Sequence, residues 1–347
     1  MHRCIELAKL GAGYVAPNPM VGAVLVHEDE IIGEGRHQQY GGPHAEVNCI
    51  NSVKQEDRHL ISSSTLYVSL EPCSHFGKTP PCSDLIIKHK IKKVIIGCRD
   101  PFKEVDGKGI EKLGAAGIEV RVGILEKDCK ELNKRFMLFN TKHRPYIVLK
   151  WAETVDGKIA NDSSERLFIS NELTNRLVHK WRSEEASILV GTNTALSDDP
   201  ELTARNWQGP SPVRLVVDMD LRLPQSLKLF DQKQPTIVFN KIKHEEQDQL
   251  IYYQVTEDVN LIHQIVNALY QLKIQSVLVE GGAKLLQSFI DADYWDEARV
   301  ITNEKLIINS GLNAPVLINA MKISEQHILS DSIGVYKHQA LNSGVNE

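Results

Sequence analysis

The chain contains 347 residues, of which 42% are hydrophobic and 24% are charged, and its formal net charge is −5. This composition is typical of a globular protein of about two domains. An acidic balance without a long run of Lys or Arg argues against a nucleic-acid-binding surface, and no stretch approaches the roughly 18–20 apolar residues that span a bilayer.

Strands and helices alternate along the first half of the chain. Residues 1–13 suit a short amphipathic helix better than a secretory signal, so we expect a cytoplasmic protein. The patterns that follow predict a hairpin over 21–35, helices over 43–54, 80–90 and 109–117, and strands over 64–70 and 92–98. After the opening hairpin, this alternation predicts a mainly parallel α/β sheet.

The composition changes near residue 140, where a polar Lys-His-Arg-Pro stretch precedes a new apolar strand. We place a domain boundary within 141–145, which predicts domains over 1–143 and 144–347. The second domain repeats the α/β pattern, with a loop predicted over 205–212. Its predicted strands are 146–151, 187–191, 213–218, 236–240 and 276–282, and its helices include 171–185 and 258–273.

The six cysteines all lie in the first 129 residues, and two of them have unusual surroundings. Cys73 and Cys82 each follow a proline in the polar loop SLEPCSHFGKTPPC. The others occur in apolar stretches typical of buried cysteine: Cys4, Cys49, Cys98 and Cys129. A disulfide framework is not expected in a long chain without secretory features. Cys73 and Cys82 are therefore candidate metal ligands.

His44 supplies a third ligand. Catalytic zinc is held by three protein side chains, often His and Cys, and keeps a fourth position for water. His44, Cys73 and Cys82 match that number. Glu46 follows His44 by two residues at the predicted start of a helix, where both side chains can reach one point. A carboxylate there can accept a proton from the water and pass it to a leaving group.

His-x-Glu followed by Pro-Cys-x-x-Cys is the arrangement of zinc deaminases. Here the order is kept, but the longer insert SHFGKTPP separates the two cysteines. Two alternatives stay open. One is a closed zinc ribbon or knuckle, which usually has four ligands at short spacing, and the other is a chance coincidence of the two motifs.

The first half resembles the deaminase half of the bifunctional riboflavin-biosynthesis deaminase–reductases in PNPMVG (17–22), GGPHAEV (41–47), SLEPCSHFGKTPPC (69–82) and DPF…GKG (100–109). The second half resembles their reductase half in LKWAETVDGKIA (149–160), ILVGTNTALSDDPELTAR (188–205), RLVVD (214–218) and VEGG (279–282). The resemblance covers nearly the whole chain. It implies a cytidine-deaminase-like three-layer α/β domain followed by a dihydrofolate-reductase-like α/β domain.

The resemblance implies two consecutive reactions on a small pyrimidine ribose-phosphate. The deaminase half would hydrolyse the 2-amino group of 2,5-diamino-6-ribosylamino-4(3H)-pyrimidinone 5′-phosphate. One zinc ion per chain would be held by His44, Cys73 and Cys82, with Glu46 as the catalytic proton shuttle. The reductase half would use NADPH to reduce the ribosyl group to ribityl, which yields 5-amino-6-ribitylaminouracil 5′-phosphate.

Further contacts follow from the same resemblance, position by position. The expected contacts of the deaminase substrate are Asn18, Lys78 and Asp100. The expected contacts of NADPH are Ala152, Phe168, Thr194, Asp198, Gly282, Ala283, Lys284, Leu285, Leu286, Gln287 and Ser288. The expected contacts of the reductase substrate are Lys150, Arg166, Arg182, Leu202, Arg205 and Glu280.

These residue types suit their roles, although each also has a simpler interpretation. The Lys78 ammonium suits a phosphate, but loop lysines are often only solvated, and His75 beside it could pack the loop or contact substrate. Gly282 permits a phosphate to approach backbone N–H groups, but Gly-Gly also makes a plain tight turn. Arg182 and Arg205 suit a ribose phosphate, but either could be a surface charge. The Asp-Asp-Pro turn at 198–200 could simply cap a helix.

Two positions depart from the family pattern. The family often has Ser-x-Trp-Ile where this chain has Arg166-Leu167-Phe168-Ile169. Phe168 can stack on a nicotinamide or pyrimidine but lacks the indole N–H, and Arg166 replaces a small hydroxyl with a large cation. Binding details at these two positions stay open.

Two other functions also stay open. One is a nucleoside or tRNA deaminase with a fused accessory domain, against which the long Cys73–Cys82 spacing and the acidic net charge argue. The other is a deaminase with a non-reducing second domain that only binds or regulates. We expect no nucleic-acid or membrane partner. We also expect a homo-oligomer, because two small domains leave sheet surface to be covered.

Overall fold

The computed structural model describes residues 1–77, 80–162 and 167–339. Within them the chain divides into a first unit, Met1–His143, and a second unit that begins at Arg144. Each unit is built around its own main sheet. No helix in the described part of the chain combines the length and the apolar character that crossing a membrane requires.

The first unit contains the following elements in chain order: α1 (His2–Lys9), β1 (Gly22–His27), β2 (Glu30–Arg36), α2 (Ala45–Ser52), a 3-10 helix (Gln55–Ser63), β3 (Thr65–Leu70), α3 (Cys82–Lys88), β4 (Lys93–Cys98), α4 (Lys108–Ala115), β5 (Glu119–Val122), α5 (Glu126–Leu132) and α6 (Lys134–Lys142). The sheet order is β2-β1-β3-β4-β5. The hairpin β1–β2 and the pair β1–β3 are antiparallel, whereas β3, β4 and β5 run parallel, as predicted.

Helices cover both faces of this sheet, because its strands are apolar on both sides. Leu25, Val68 and Ile96 pack against α2, α3 and α4 on one face. Val24 packs with Cys4 of α1 on the other face. The three-layer arrangement therefore follows from strands such as KVIIGC, which have no polar face. The four cysteines that were expected to pack as apolar residues are fully buried.

The second unit contains the following elements in chain order: β6 (Tyr146–Thr154), β7 (Lys158–Ala160), α7 (Glu172–Glu184), β8 (Ser187–Gly191), α8 (Thr192–Asp198), β9 (Val213–Val217), a 3-10 helix (Lys228–Phe230), β10 (Thr236–Asn240), β11 (Glu245–Gln247), β12 (Leu250–Gln254), α9 (Leu261–Gln271), β13 (Ser276–Gly281), α10 (Ala283–Asp291), β14 (Glu297–Asn303), β15 (Leu312–Asn313), β16 (Ala320–Ile328) and β17 (Asp331–His338). The main sheet has the order β11-β12-β10-β9-β8-β13-β6-β14-β17-β16, and β7 pairs with β15 separately.

The central strands of this sheet, from β12 to β14, are parallel, and antiparallel strands flank them on both sides. Alternate residues of β8 enter different cores: Leu189 joins the cluster that contains α9 and α10, and Ile188 joins the cluster on the opposite face. Strand β13 inserts between β8 and β6, so the chain reverses its direction across the sheet there. Ligands of open α/β sheets bind beyond the carboxyl ends of the strands at such a reversal.

The start of the second unit is held by an ion pair between the partly buried Arg144 and the fully buried Asp296. The Arg144 guanidinium donates from both Nη atoms to the two oxygens of Asp296, each at 2.7 Å. Asp296 also accepts the Ile147 N–H at 2.8 Å and is fully buried. Removing one partner of a buried pair leaves an uncompensated charge and costs more than the pair itself contributes.

We therefore expect Asp296→Ala to lower the free energy of unfolding of the second unit by about 3–5 kcal/mol. All four tryptophans lie in this unit, so urea unfolding followed by tryptophan fluorescence reports on it alone. The matched control is Glu325→Ala, which breaks an exposed ion pair with Lys322 and should leave the midpoint essentially unchanged. Equal midpoints for the two variants would contradict the prediction.

Candidate active site

The three predicted metal ligands come together at the carboxyl end of β3. Cys73 follows that strand by three residues, Cys82 opens α3, and His44 is the N-cap residue of α2. Their ligand atoms lie within 4.8 Å of one another. His44 Nδ1 is 3.6 Å from Cys73 Sγ and 3.4 Å from Cys82 Sγ.

These separations fit zinc. Sulfur at about 2.3 Å and nitrogen at about 2.0–2.1 Å from a tetrahedral zinc ion lie about 3.6 Å apart. Two thiols and one imidazole form the donor set that zinc prefers, and three ligands leave one coordination position for water. The geometry therefore matches a catalytic site of this metal better than a closed four-ligand ribbon.

Hydrogen bonds around Cys73 favour the thiolate that a metal requires, whereas the contact with Cys73 and burial raise the pKa of Cys82. A bond from the Cys82 thiol lowers the pKa of Cys73, because it stabilises the ionised sulfur. The Cys82 backbone N–H also donates to Cys73 Sγ at 3.3 Å, and the Ser83 N–H donates to the Cys73 carbonyl at 3.1 Å. The first turn of α3 thus holds Cys73 from both its sulfur and its backbone.

Glu46 lies in the first turn of α2, as the sequence predicts, and it is 97% buried, since its exposed fraction is 3%. Burial raises the pKa of Glu46 to about 7, and its carboxyl group hydrogen-bonds Cys82. His44 contacts the same sulfur. Both side chains of the His-x-Glu motif therefore reach one point, which is possible at the start of a helix but not in its middle.

Asn18 is tied to a residue that the sequence did not single out, His37. The His37 Nδ1 lies 3.0 Å from the Pro43 carbonyl, which can only accept, so Nδ1 carries the hydrogen. His37 Nε2 then accepts from the Asn18 Nδ2 at 3.2 Å. Burial lowers the pKa of His37, and its ring meets that of His44 edge-on at 5.4 Å. No motif marks His37 in the sequence, because its partners assemble only in the fold.

Asp100 follows β4, next to the metal-ligand loop, because β3 and β4 are parallel neighbours. It is 6% exposed, its Oδ1 accepts the Phe102 N–H at 2.8 Å, and burial raises its pKa to about 7. The His75 ring is tilted against that of Phe102 at 5.9 Å, which fits the loop-packing interpretation of this histidine. The predicted substrate contact Lys78 lies outside the described residues.

We expect Cys73→Ser and Cys82→Ser to lower bound zinc from about one ion per chain to a small fraction of that, because each removes a soft ligand. The measurement is zinc content by mass spectrometry after gel filtration. Cys49→Ala and Cys129→Ala change buried cysteines outside the cluster and should retain zinc. Equal loss in all four variants would contradict the assignment.

In the second unit, three predicted substrate contacts meet at the end of β13. Glu280 accepts from Arg182 Nε at 2.8 Å and from Arg182 Nη2 at 2.7 Å, and its Oε2 lies 3.7 Å from Lys150 Nζ. Burial acts to raise the pKa of Glu280, but the charges of Arg182 and Lys150 outweigh it and lower the pKa to about 2. Burial lowers the pKa of Lys150. Because two of its nitrogen atoms donate to Glu280, the Arg182 guanidinium is already paired within the protein.

A small cavity of about 80 Å³ lies between Arg182 and residues at the end of α8 and after it. The predicted contacts Arg182, Asp198, Leu202 and Arg205 line it. This volume is below that of pockets for whole ligands, so the cavity suits one compact polar group. His179 of α7 is buried nearby, and burial together with the charges of Arg182 and Arg205 lowers its pKa to about 4. The sequence did not single out His179, because it occupies an ordinary helical position.

Three of the predicted NADPH contacts, Ala152, Thr194 and Gly282, lie in or shortly after the neighbouring strands β6, β8 and β13. Gly282 is the N-cap residue of α10, and a Cβ there would come within 3.2 Å of Thr194 Oγ1 on α8. Ala152 belongs to β6, on the other side of β13. A glycine at the N-cap position brings no side chain over the first turn of α10. The backbone N–H groups of that turn are therefore open to a phosphate.

The later positions of this stretch direct their side chains elsewhere. Leu286 is buried in the core, Gln287 bonds Asp291, and Ser288 donates to the Lys284 carbonyl. Any contact with a dinucleotide therefore centres on the first turn. Phe168 is 73% exposed, and Arg166 lies outside the described residues.

Comparison with known proteins identifies the family of the chain. Residues 1–98 match the cytidine and deoxycytidylate deaminase zinc-binding region, and residues 145–324 match the RibD C-terminal domain. The chain is 40% identical over 319 residues to the riboflavin biosynthesis protein RibD of Aquifex aeolicus, which covers 90% of this chain and 88% of that protein. The chain belongs to the RibD family. The RibD of Bacillus amyloliquefaciens is also 40% identical, over 92% of this chain and 87% of its own.

Solved structures agree with this membership. A diaminohydroxyphosphoribosylaminopyrimidine deaminase/5-amino-6-(5-phosphoribosylamino)uracil reductase from Thermotoga maritima is 37% identical, with a TM-score of 0.88 over 97% of each chain. Acinetobacter baumannii RibD is 29% identical, with a TM-score of 0.87 over 97% of each chain. The predicted fold class is confirmed, and so is the prediction of a bifunctional deaminase–reductase of riboflavin biosynthesis with a zinc-binding domain and a reductase domain of the NADPH-using kind.

Proposed function

We propose that this chain performs two consecutive steps on one pyrimidine ribose-phosphate, with residues 1–143 as the deaminase and residues from 144 onward as the reductase. The deaminase step replaces the 2-amino group of 2,5-diamino-6-ribosylamino-4(3H)-pyrimidinone 5′-phosphate with oxygen from water and releases ammonia. The reductase step converts the ribosyl group to ribityl with NADPH. The observation that carries the proposal is the His44–Cys73–Cys82 cluster with Glu46 against the same sulfur.

In the deaminase unit, zinc held by His44, Cys73 and Cys82 would supply the Lewis acidity that activates a water molecule. Glu46 takes a proton on its carboxylate as the water oxygen attacks the ring carbon, and it returns the proton to the departing amine. The carbon–oxygen bond forms and the carbon–nitrogen bond breaks, so ammonia leaves. Asn18, Lys78 and Asp100 would hold the pyrimidine and its phosphate.

In the reductase unit, NADPH would supply the hydride that reduces the sugar. Lys150 lies in β6 beside Glu280, where its ammonium can deliver the proton that balances the hydride. A depressed pKa makes this transfer easier, because the group gives up its proton more readily. Glu280 holds Lys150 and Arg182 in place, and Arg205 with Leu202 would receive the ribose phosphate. The first turn of the Gly282–Ser288 segment, with Ala152, Phe168, Thr194 and Asp198, would bind NADPH, and Arg166 would contact the substrate.

We expect Glu46→Gln to lower the rate of ammonia release by about 10²–10⁴-fold, since the amide cannot accept the proton. Purified protein is assayed for ammonia with the diaminopyrimidine phosphate as substrate. The second activity of the same variant serves as the control. Its rate of NADPH oxidation, measured with the deaminated product supplied, should be unchanged. Retained ammonia release in the variant would remove Glu46 from the mechanism.

We expect Lys150→Met to lower the rate of NADPH oxidation with supplied deaminated product by about 10²-fold or more, because the proton donor is lost. Ammonia release should be retained. The matched control is Lys180→Met, which changes a lysine of α7 that is 42% exposed and should keep both activities. If wild-type protein releases ammonia but never oxidises NADPH, the second unit is the non-reducing module instead.

We propose that the enzyme acts in the cytoplasm as a homo-oligomer with small-molecule partners only. Its six cysteines are all free, which suits a reducing compartment. Size-exclusion chromatography with light scattering measures the oligomeric state directly.

A further inference from the structure

Glu71 is a buried carboxylate to which the mechanism above gives no task. It follows β3 and is 4% exposed. Its Oε1 accepts the N–H groups of Gly109 at 3.0 Å and Ile110 at 3.3 Å. Its Oε2 accepts those of Gly107 at 3.1 Å and Asp100 at 3.3 Å. One side chain therefore collects four backbone donors from a single distant segment.

These donors supply what a buried anion needs. A carboxylate removed from water is costly unless hydrogen bonds satisfy it, and bonds to an ionised acceptor are the strong ones. Two donors belong to the first turn of α4, where the helix dipole also favours negative charge. Glu71 thus caps α4 from outside that helix.

The two glycines of the GKG motif permit this approach. Gly107 has φ +87°, a conformation that favours glycine. A Cβ at Gly109 would lie 2.0 Å from the Pro72 carbonyl oxygen, so a larger residue cannot come this close to the metal-ligand loop. The close contact of this backbone with Glu71 and Pro72 explains why the motif has glycine at both positions.

Glu71 thereby joins two loops of the deaminase unit. One loop leads from β3 through Pro72 to Cys73, and the other leads from β4 through Asp100 to α4. The Glu71 N–H also donates to the Cys98 carbonyl at 3.0 Å, so the loops are tied where they leave the sheet.

We propose that Glu71 is a positioning residue for deamination: its carboxylate holds the Asp100 loop against the Cys73 loop, and so sets where the Asp100 side chain stands relative to the metal site. The inference rests on the proposed deaminase reaction. Displacement of a contacting group by about 1 Å can cost about 10²-fold in rate. Glu71 acts through Asp100 and need not touch the substrate.

The test is a double-mutant cycle of Glu71→Gln, Asp100→Asn and the double variant, measured as kcat and KM of ammonia release. Glutamine keeps the shape of the side chain, but its NH₂ group faces backbone N–H donors that the Glu71 carboxylate oxygens accept. Part of the Asp100 loop then loses its hydrogen-bond acceptor. We expect Glu71→Gln to lower kcat/KM by about 10²-fold and to divide the loss between kcat and KM as Asp100→Asn does. The kcat/KM of the double variant should be no lower than that of the less active single variant, because both changes disrupt the same positioning of Asp100.

Three measurements accompany the cycle. Zinc content should stay at about one per chain, and NADPH oxidation with supplied deaminated product should be unchanged. The control Glu111→Gln alters an exposed glutamate in α4 and should leave ammonia release unchanged. Gly107→Ala is a milder second variant, since it strains one of the four contacts, and it carries the cycle if Glu71→Gln does not fold.

The outcomes separate cleanly. Wild-type protein that releases no ammonia refutes the proposed function rather than this inference. With active wild type, full activity in Glu71→Gln, no effect of Asp100→Asn, or losses that multiply in the double variant overturn the positioning role. Loss of zinc in folded Glu71→Gln and Gly107→Ala also overturns it, because Glu71 would then maintain the metal site itself.

Discussion

The parallel pairing of strands is the constraint on which both units depend. Parallel strands begin at one edge of a sheet and end at the other, and a crossover must return the chain between them. Every loop that follows such a strand therefore opens at the same edge. In the first unit β3 and β4 end side by side, and Cys73 and Asp100 emerge there. In the second unit Thr194 follows β8, and Lys150 of β6 meets Glu280 near the carboxyl end of β13.

The two sites use this edge differently. The deaminase site is built from helix starts, because His44 precedes α2 and Cys82 opens α3. Helix N-termini favour thiolate and carboxylate, so they suit a metal site with a buried acid. The proposed reductase site is built around a buried carboxylate between two cations, Glu280 with Arg182 and Lys150. The two cations keep Glu280 ionised, whereas burial lowers the pKa of Lys150 against the opposing effect of Glu280.

Buried polar groups join segments of each unit that are distant in the sequence or fix their backbone. Glu71 gathers N–H groups from residues 29 to 39 positions further along the chain. His37 joins the Pro43 carbonyl to Asn18 through its two ring nitrogens. Asp296 fixes the start of the second unit through Arg144 and Ile147. Each group has several partners, since a buried polar atom without one is destabilising.

The sequence alone determined the alternation of strands and helices in each half and the donor set of the metal site, but it did not predict β5 or the late strands β14, β16 and β17. Apolar runs such as KVIIGC and the helical spacing in α9 report burial directly, and few side chains besides His44, Cys73 and Cys82 could form a three-ligand zinc site here. Glu46 followed from its place two residues after a ligand. The substrate and cofactor contacts came from the family resemblance, and they remain predictions.

Only the tertiary structure decided what surrounds His37, Glu71 and His179. Glu71 was visible in the motif SLEPC, but nothing in its neighbours shows that three N–H groups of the DPF…GKG segment and the N–H of Ile110 converge on it. The same holds for the engagement of Arg182 by Glu280, residues 98 positions apart in the chain. Local patterns report which face of an element is buried. They do not report which distant backbone meets a side chain, because that depends on how strands and loops pack in three dimensions.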